Sequence, residues 1–229
     1  MRFLRNILAL ILLPAVFAAG YAFITNFLVF SVSVGIKYIP FWIGVICYTA
    51  FQVVLYKPMK TYIFGHELSH AIAGLLSGSK IKKFNIGENS GSVVLTKDNI
   101  WITLAPYFFP IYTIVIMITY VCLGWFMDIK QLYGYYLFLI GFSISFHIAL
   151  TIYIFTIEQP DLKVYGVFFS YVIIIAVNIV VLTFISALAF EDAVSVKNVF
   201  FQAYHNIINT YKFIYNGTKE ICLAFQKTK

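Results

Sequence analysis

Long apolar runs without charged residues alternate with short polar segments along most of the chain. Each run is long enough for a helix to cross the hydrocarbon core of a bilayer, which takes roughly 17–25 residues. The runs cover residues 7–30, 39–56, 100–127, 132–157 and 164–190. A weaker sixth run, residues 60–78, contains ionisable side chains. The pattern predicts an all-α membrane protein with about six transmembrane helices.

The segment between the weaker run and the next apolar run follows a different pattern. Phe84 and Ile86 precede a turn-rich GENSG stretch and residues 93–95 follow it, which predicts a short membrane-associated β-hairpin. Pro106 and Pro110 then interrupt the following run. Irregular backbone is tolerated at membrane depth only where protein or a water-filled cavity satisfies its polar groups. We therefore expect this region to line a cavity.

The two ends of the chain differ in character. The apolar runs within residues 1–190 predict a single multi-pass transmembrane domain. Residues 191–229 bring apolar side chains near one helical face, with polar residues between them, which is typical of an amphipathic helix. We expect this C-terminal helix or tail either to dock on the helical bundle or to lie in the membrane interface.

Composition supports the membrane assignment. Hydrophobic residues make up 62% of the chain and charged residues 11%, against about 25% charged residues in ordinary soluble domains. A soluble globular protein is therefore excluded. The first run, preceded by Arg2 and Arg5, also fits a secretory signal peptide, but its length favours a retained span.

The charge distribution indicates which partners to expect. The net charge of +7 is dispersed between apolar runs and forms no patch, so it predicts contact with the lipid bilayer and none with nucleic acid. Because basic residues are commoner in cytoplasmic loops, both the N-terminus and the C-terminus are expected to be cytoplasmic. The sequence does not indicate an oligomeric state.

The weaker sixth run contains the sequence HELSH. Residues i and i+4 of a helix share a face, so His66 and His70 can bind one Zn²⁺ while Glu67 reaches a water that the metal activates. A structural alternative is that the histidines are hydrogen-bonded core residues and Glu67 pairs with Lys60. However, an ionisable group deep in a span costs roughly 2.5–3.5 kcal/mol on insertion scales. Several such groups together favour a metal site with Glu67 as general base.

At this point the sequence resembles a known family. HELSHAIAGLLSG, the hairpin after it, the helix start LAPYFFP and a later QPD are similar to the site-2-type intramembrane zinc metalloproteases, in particular their small bacterial membrane branch. Those proteins bind zinc with HExxH on one transmembrane helix and an aspartate from an NPDG- or LDG-like motif on a later helix. The resemblance covers about residues 62–170.

The resemblance implies a zinc site and a location. His66, His70 and Asp161 would be the zinc ligands and Glu67 the catalytic general base, in a protein of the bacterial cytoplasmic membrane. The motif departs from the family's pattern, because Gln159 stands in place of Asn and Leu in place of Gly after the aspartate.

Depth in the membrane indicates another candidate for the third zinc ligand. If the spans are straight, Asp161 follows the end of a span parallel to the HExxH helix and lies at the face opposite His66. His147, near the middle of that span, is closer in depth and is the alternative ligand. Asp161 would then cap the start of the last span, as Pro160 before it also indicates.

The ligand set predicts an intramembrane zinc metalloendopeptidase that hydrolyses peptide bonds in or near transmembrane segments of membrane-protein substrates. The hairpin is expected to hold the unwound substrate by edge pairing. One alternative is a non-proteolytic zinc-binding membrane scaffold or transporter, which would not require Glu67. Another is a barrel-type prenyl-protein endopeptidase, whose third ligand is a glutamate; Glu158 is the candidate late in the membrane region.

Overall fold

A computed structural model describes residues 2–33, 35–54, 58–87, 90–190 and 194–227. The described residues form helices and one β-hairpin, joined in places by 3-10 turns. In chain order the elements are α1 (Arg2–Ser33), α2 (Ile39–Val54), α3 (Met59–Leu76), β1 (Ile81–Ile86), β2 (Gly91–Leu95), α4 (Ile100–Phe108), α5 (Ile111–Gly124), α6 (Tyr133–Phe155), α7 (Pro160–Tyr165), α8 (Val167–Ala189) and α9 (Val196–Lys227).

The described part of the chain holds four helices long and apolar enough to cross a membrane, or five if α4 and α5 are one bent span. The four are Arg2–Leu28, Gly35–Val54, Lys130–Phe155 and Val167–Ala189. The expected count of about six is therefore too high. The helix that falls short is α3, because the polar side chains of HELSH reduce its apolar content. The third apolar run is interrupted at Pro110, since α4 and α5 are bent by 73° at the break between Phe108 and Ile111. The expectation that Pro106 also interrupts the run is wrong, because Pro106 lies inside α4.

The chain divides into two compact units, a site unit of residues 34–170 and a terminal unit of residues 1–33 and 171–229. In the terminal unit, α9 runs antiparallel along α1. Asn26 donates to Gln202 over 2.5 Å, and Tyr211 donates to the carbonyl of Ile11. Buried alanines on α1, including Ala18 and Ala22, allow this close approach.

In the site unit, α2 and α6 pack with their backbones in contact. A Cβ added to Gly44 would lie 2.1 Å from the carbonyl oxygen of Phe138, and one added to Gly141 would lie 2.1 Å from that of Phe41. Small residues of this kind let membrane helices approach closely enough for extensive van der Waals contact. The pair forms a framework, and α5 packs against its α6 side.

The predicted hairpin is present directly after α3. Gly78, with φ of 71°, ends that helix in a conformation that favours glycine. Strands β1 and β2 then pair antiparallel, with Phe84 opposite Val93 and Ile86 opposite Gly91. The central residues of the predicted turn, 88 and 89, lie outside the described residues. Both strands and α4 pack against α3, so the HELSH helix is enclosed on one side by the hairpin and on another by α4.

Candidate metal centre

Helix α3 carries the two histidines of HELSH one turn apart on the same face. Their Nε2 atoms lie 3.2 Å from each other, and the ring planes are nearly perpendicular. The two side chains are only 10% and 12% exposed. Glu67, one position after His66, is also buried. The helical geometry expected from the spacing is therefore present.

Asp161 completes a cluster with the two histidines. Its Oδ2 atom lies 3.3 Å from Nε2 of His66 and 3.4 Å from Nε2 of His70. The three ligand atoms form a nearly equilateral triangle, so a single ion can contact all of them. Within the described part of the chain, His66, His70 and Asp161 are the one group of at least three such residues that could hold a metal ion.

The expectation that Asp161 lies at the face opposite His66 is wrong. Helix α6 ends at Phe155, and the chain then turns back into the short helix α7, which packs against α4. Because α4 itself packs on α3, this turn returns Asp161 to the histidines. Pro160 does begin α7 as its first residue. The residue at the N-cap position is Gln159, and the Asp161 carboxylate is aimed at the histidines.

Each of the three ligand residues has a partner that orients it. Nδ1 of His70 lies 2.8 Å from the carbonyl oxygen of Ile102. A carbonyl only accepts, so Nδ1 carries a proton, and Nε2 is the nitrogen that can bind a metal when the ring is neutral. Nδ1 of His66 lies 3.1 Å from the hydroxyl of Tyr62, one helical turn earlier.

The partner of Asp161 is Tyr107. The Tyr107 hydroxyl donates to Oδ2 of Asp161 over 3.0 Å, and its ring lies edge-on to His66. Tyr107 belongs to α4, the same helix that offers the Ile102 carbonyl. Asn99 caps this helix by accepting from the backbone N–H of Ile102 at 3.0 Å.

The electrostatics of the cluster favour an ionised aspartate. Burial by itself would raise the pKa of Asp161, but hydrogen bonds from the protonated imidazoles of His66 and His70, together with their positive charge, outweigh it and hold the pKa below its ordinary value. Asp161 is therefore a carboxylate at neutral pH. An anionic oxygen beside two imidazole nitrogens is a donor set that suits a divalent transition metal.

The two other candidate third ligands lie elsewhere. His147, on α6, lines a separate small cavity of about 20 Å³ that His66 and Tyr62 also line, and it is outside the metal-binding group. Glu158 is largely exposed and forms an ion pair of 2.7 Å with Lys163. A hydrogen bond from Lys163 and its charge lower the pKa of Glu158. Its carboxylate is thus engaged outside the cluster.

A cavity of about 520 Å³ adjoins the cluster. One side is formed by His66, Glu67, His70 and Asp161, and another by strand β2. The expectation that the hairpin region lines a cavity is met by β2. The strand approaches the helix closely, because a Cβ added to Gly91 would lie 2.6 Å from Cγ of Glu67.

Sequence reasoning missed the residues that orient the ligands. Tyr62 precedes His66 by one helical turn, so the i, i+4 spacing is a signal that was available. No local spacing connects Tyr107 with Asp161 or Ile102 with His70, since both pairs join different helices.

Comparisons with known proteins found no matching family model, no matching curated protein and no matching solved structure.

Proposed function

We propose that this protein is a membrane-embedded zinc metalloendopeptidase that hydrolyses peptide bonds in or near transmembrane segments of other proteins. The observation that carries the proposal is the convergence of His66, His70 and Asp161 on one point while Glu67 lines the same cavity. The motif resemblance to site-2-type proteases points in the same direction. The protein has several apolar helices of membrane-spanning length, which favours substrates that lie in the same bilayer, namely other membrane proteins.

The distances within the cluster support zinc as the metal. Zinc in proteins has tetrahedral coordination with bonds of about 2.0–2.2 Å, which separates neighbouring ligand atoms by about 3.4 Å. The separations of 3.2, 3.3 and 3.4 Å between Nε2 of His66, Nε2 of His70 and Oδ2 of Asp161 agree with that value. Three protein ligands leave the fourth position open, as in catalytic zinc sites. When held by these three ligands, zinc would activate water and polarise the peptide carbonyl.

Glu67 supplies the acid–base chemistry. Its carboxylate borders the cavity beside the two histidines, so it can accept a proton from the attacking water and return it to the leaving amine. Adjacent residues on a helix point about 100° apart. Glu67 therefore acts on the substrate side of the site and does not compete with His66 as a ligand.

Strand β2 supplies a surface for the substrate backbone. A transmembrane helix hides its carbonyls in hydrogen bonds and must unwind before cleavage. β2 pairs with β1 along one edge in a two-stranded sheet, so its other edge offers backbone groups to an extended peptide. Residues 91–95 of β2 line the cavity that contains Glu67. A peptide paired with this edge would thus pass close to the general base.

The alternative functions are less well supported. A zinc-binding scaffold or transporter would have no use for a buried acid at the Glu67 position. A prenyl-protein endopeptidase with Glu158 as third ligand is disfavoured because Glu158 is paired with Lys163 outside the cluster.

The test uses purified full-length protein, stripped of metal, reloaded with zinc and reconstituted in liposomes with a panel of single-span membrane proteins. We expect about one zinc per chain and fragments with new termini within or beside the transmembrane segment. Chelation should abolish cleavage and zinc should restore it. Zinc binding without cleavage of any substrate would favour a scaffold or transporter. No zinc binding would exclude a zinc peptidase.

A further inference from the structure

The hydroxyl of Tyr107 is the one neutral side-chain donor shown within hydrogen-bond distance of the Asp161 carboxylate in the described structure, at 3.0 Å from Oδ2. That same oxygen faces the two histidines at 3.3 and 3.4 Å. Tyr107 is fully buried, whereas the Asp161 side chain is 25% exposed. The donor is therefore better fixed than the acceptor that it contacts.

Helix α7 by itself cannot hold Asp161 in place. It has six residues, Pro160–Tyr165, and ends at Gly166, whose φ of 100° breaks the helix. An isolated helix of this length is unstable in water, because its few hydrogen bonds do not offset the conformational entropy lost in forming the first turn. The position of Asp161 therefore depends on contacts with other helices, and the bond from Tyr107 on α4 is the one that reaches its carboxylate without engaging a metal-binding nitrogen.

Helix α4 is well placed to act as this support. It begins at a capped N-terminus, where Asn99 accepts from Ile102, and all of its residues from Ile102 to Phe108 are buried. The same helix orients His70 through the carbonyl of Ile102. One rigid element therefore contacts a ligand of α3 and a ligand of α7.

We propose that Tyr107 is the positioning residue for Asp161, fixing its carboxylate at the distance from His66 and His70 that a shared metal ion requires. This inference rests on the metal site of the proposed function. It assigns Tyr107 no contact with substrate and no proton transfer. Partners of this kind typically contribute 10–100-fold to metal affinity, because they hold the ligand in its binding geometry before the metal arrives.

The experiment measures zinc affinity by competition with a chelator, using full-length protein. Tyr107→Phe removes the hydroxyl and keeps the ring. Tyr136→Phe is the matched control, because Tyr136 is also buried but stacks on Tyr120, with ring centroids 4.0 Å apart. We expect zinc affinity to fall about 10–100-fold in Tyr107→Phe and to be unchanged in Tyr136→Phe. Cleavage by Tyr107→Phe should recover at saturating zinc, since the catalytic groups remain.

Coupling to Asp161 separates positioning from a general structural role. In an Asp161→Ala background, Tyr107→Phe should cause no further loss of zinc affinity, because the group that it positions is gone. An equal loss in both backgrounds would overturn the proposal, as would wild-type affinity in Tyr107→Phe. A Tyr107→Phe chain that fails to fold without zinc would assign the hydroxyl a structural role and overturn it as well. Zinc binding by the wild-type protein tests the proposed function separately. If the wild type binds no zinc, the proposed function is wrong, whatever the variants show.

Discussion

The Oδ2 atom of Asp161 lies 3.3 Å from Nε2 of His66, although the helices that carry the two residues, α7 and α3, are far apart in the sequence. The contact forms because α7 folds back on α4 and α4 packs on α3. The candidate metal site is therefore a product of three packed helices. Substitutions at the ligands, at the acid beside them and at the close contacts between elements should have separable effects.

The first prediction concerns the histidine ligands. The double change His66→Ala with His70→Ala should abolish stoichiometric zinc binding, because two of the three donors of the cluster are lost. Metal content of the purified protein measures this directly. His205→Ala is the matched control, since His205 lies on α9 in the terminal unit and is exposed. Retention of zinc in the double variant would place the metal elsewhere.

The second prediction separates the candidate third ligands. Asp161→Ala should lower zinc affinity by more than the roughly 10–100-fold that loss of an orienting partner costs. His147→Ala and Glu158→Ala should leave it nearly unchanged, because neither residue belongs to the cluster. The measurement is zinc affinity of the single variants at matched thermal stability. A larger effect of His147→Ala than of Asp161→Ala would reverse the assignment.

The third prediction separates metal binding from catalysis. Glu67→Gln preserves side-chain volume but removes the base, so zinc should stay bound. General-base catalysis contributes typically 10²–10⁴-fold, and cleavage should fall by about that factor. Cleavage of a membrane-embedded substrate is followed on gels, with zinc measured on the same sample. Unchanged cleavage would show that Glu67 does not have the proposed role.

The fourth prediction uses the close approach of β2 to Glu67, the proposed general base. A Cβ at Gly91 would lie 2.6 Å from Cγ of Glu67 and 2.7 Å from Cγ2 of Ile63, so Gly91→Ala must displace the strand or the acid. Misplacement of a catalytic group by about 1 Å can cost on the order of 10²-fold in rate. We expect such a loss of cleavage with zinc content unchanged.

The control for this change is Gly217→Ala on α9, where an added Cβ has nothing within 4 Å. This variant should cleave like the wild type. If Gly91→Ala also cleaves normally, the strand is not held against Glu67 as described.

The fifth prediction concerns the framework of the site unit. Gly141→Ala puts a Cβ 2.1 Å from the backbone oxygen of Phe41, which cannot move without separating α2 from α6. Overpacking of this kind costs typically about 1–3 kcal/mol, occasionally more. The thermal midpoint in detergent should fall. Gly134→Ala, on the same helix, meets only Pro40 at 3.8 Å and should not lower it.

Much of the local structure follows from the sequence. The apolar runs predict the long helices, since only a helix satisfies its own backbone in lipid. The hairpin after α3 and the break at Pro110 are present as expected, whereas Pro106 lies inside α4. The i, i+4 spacing of His66 and His70 alone determines that the imidazoles share a face. These features depend on interactions between residues that are close in the chain.

The number of membrane-length helices could not be counted reliably from apolar runs. The HELSH segment forms a full helix, α3, but its polar residues make it less apolar than a span requires. The partners of these residues lie on other elements, so the hydropathy of the segment by itself does not indicate where the helix resides.

Only the tertiary structure decided how the candidate metal site is completed. Sequence spacing allowed Asp161 or His147 as the third group, and straight spans would have kept Asp161 far from His66. The short helix α7 turns back because Leu162 is buried and Ser170 donates to the carbonyl of Leu162 over 3.1 Å. Tyr107 meets Asp161 for the same reason. Such contacts join residues from separate elements, and their geometry is set by packing, which no periodicity along the chain encodes.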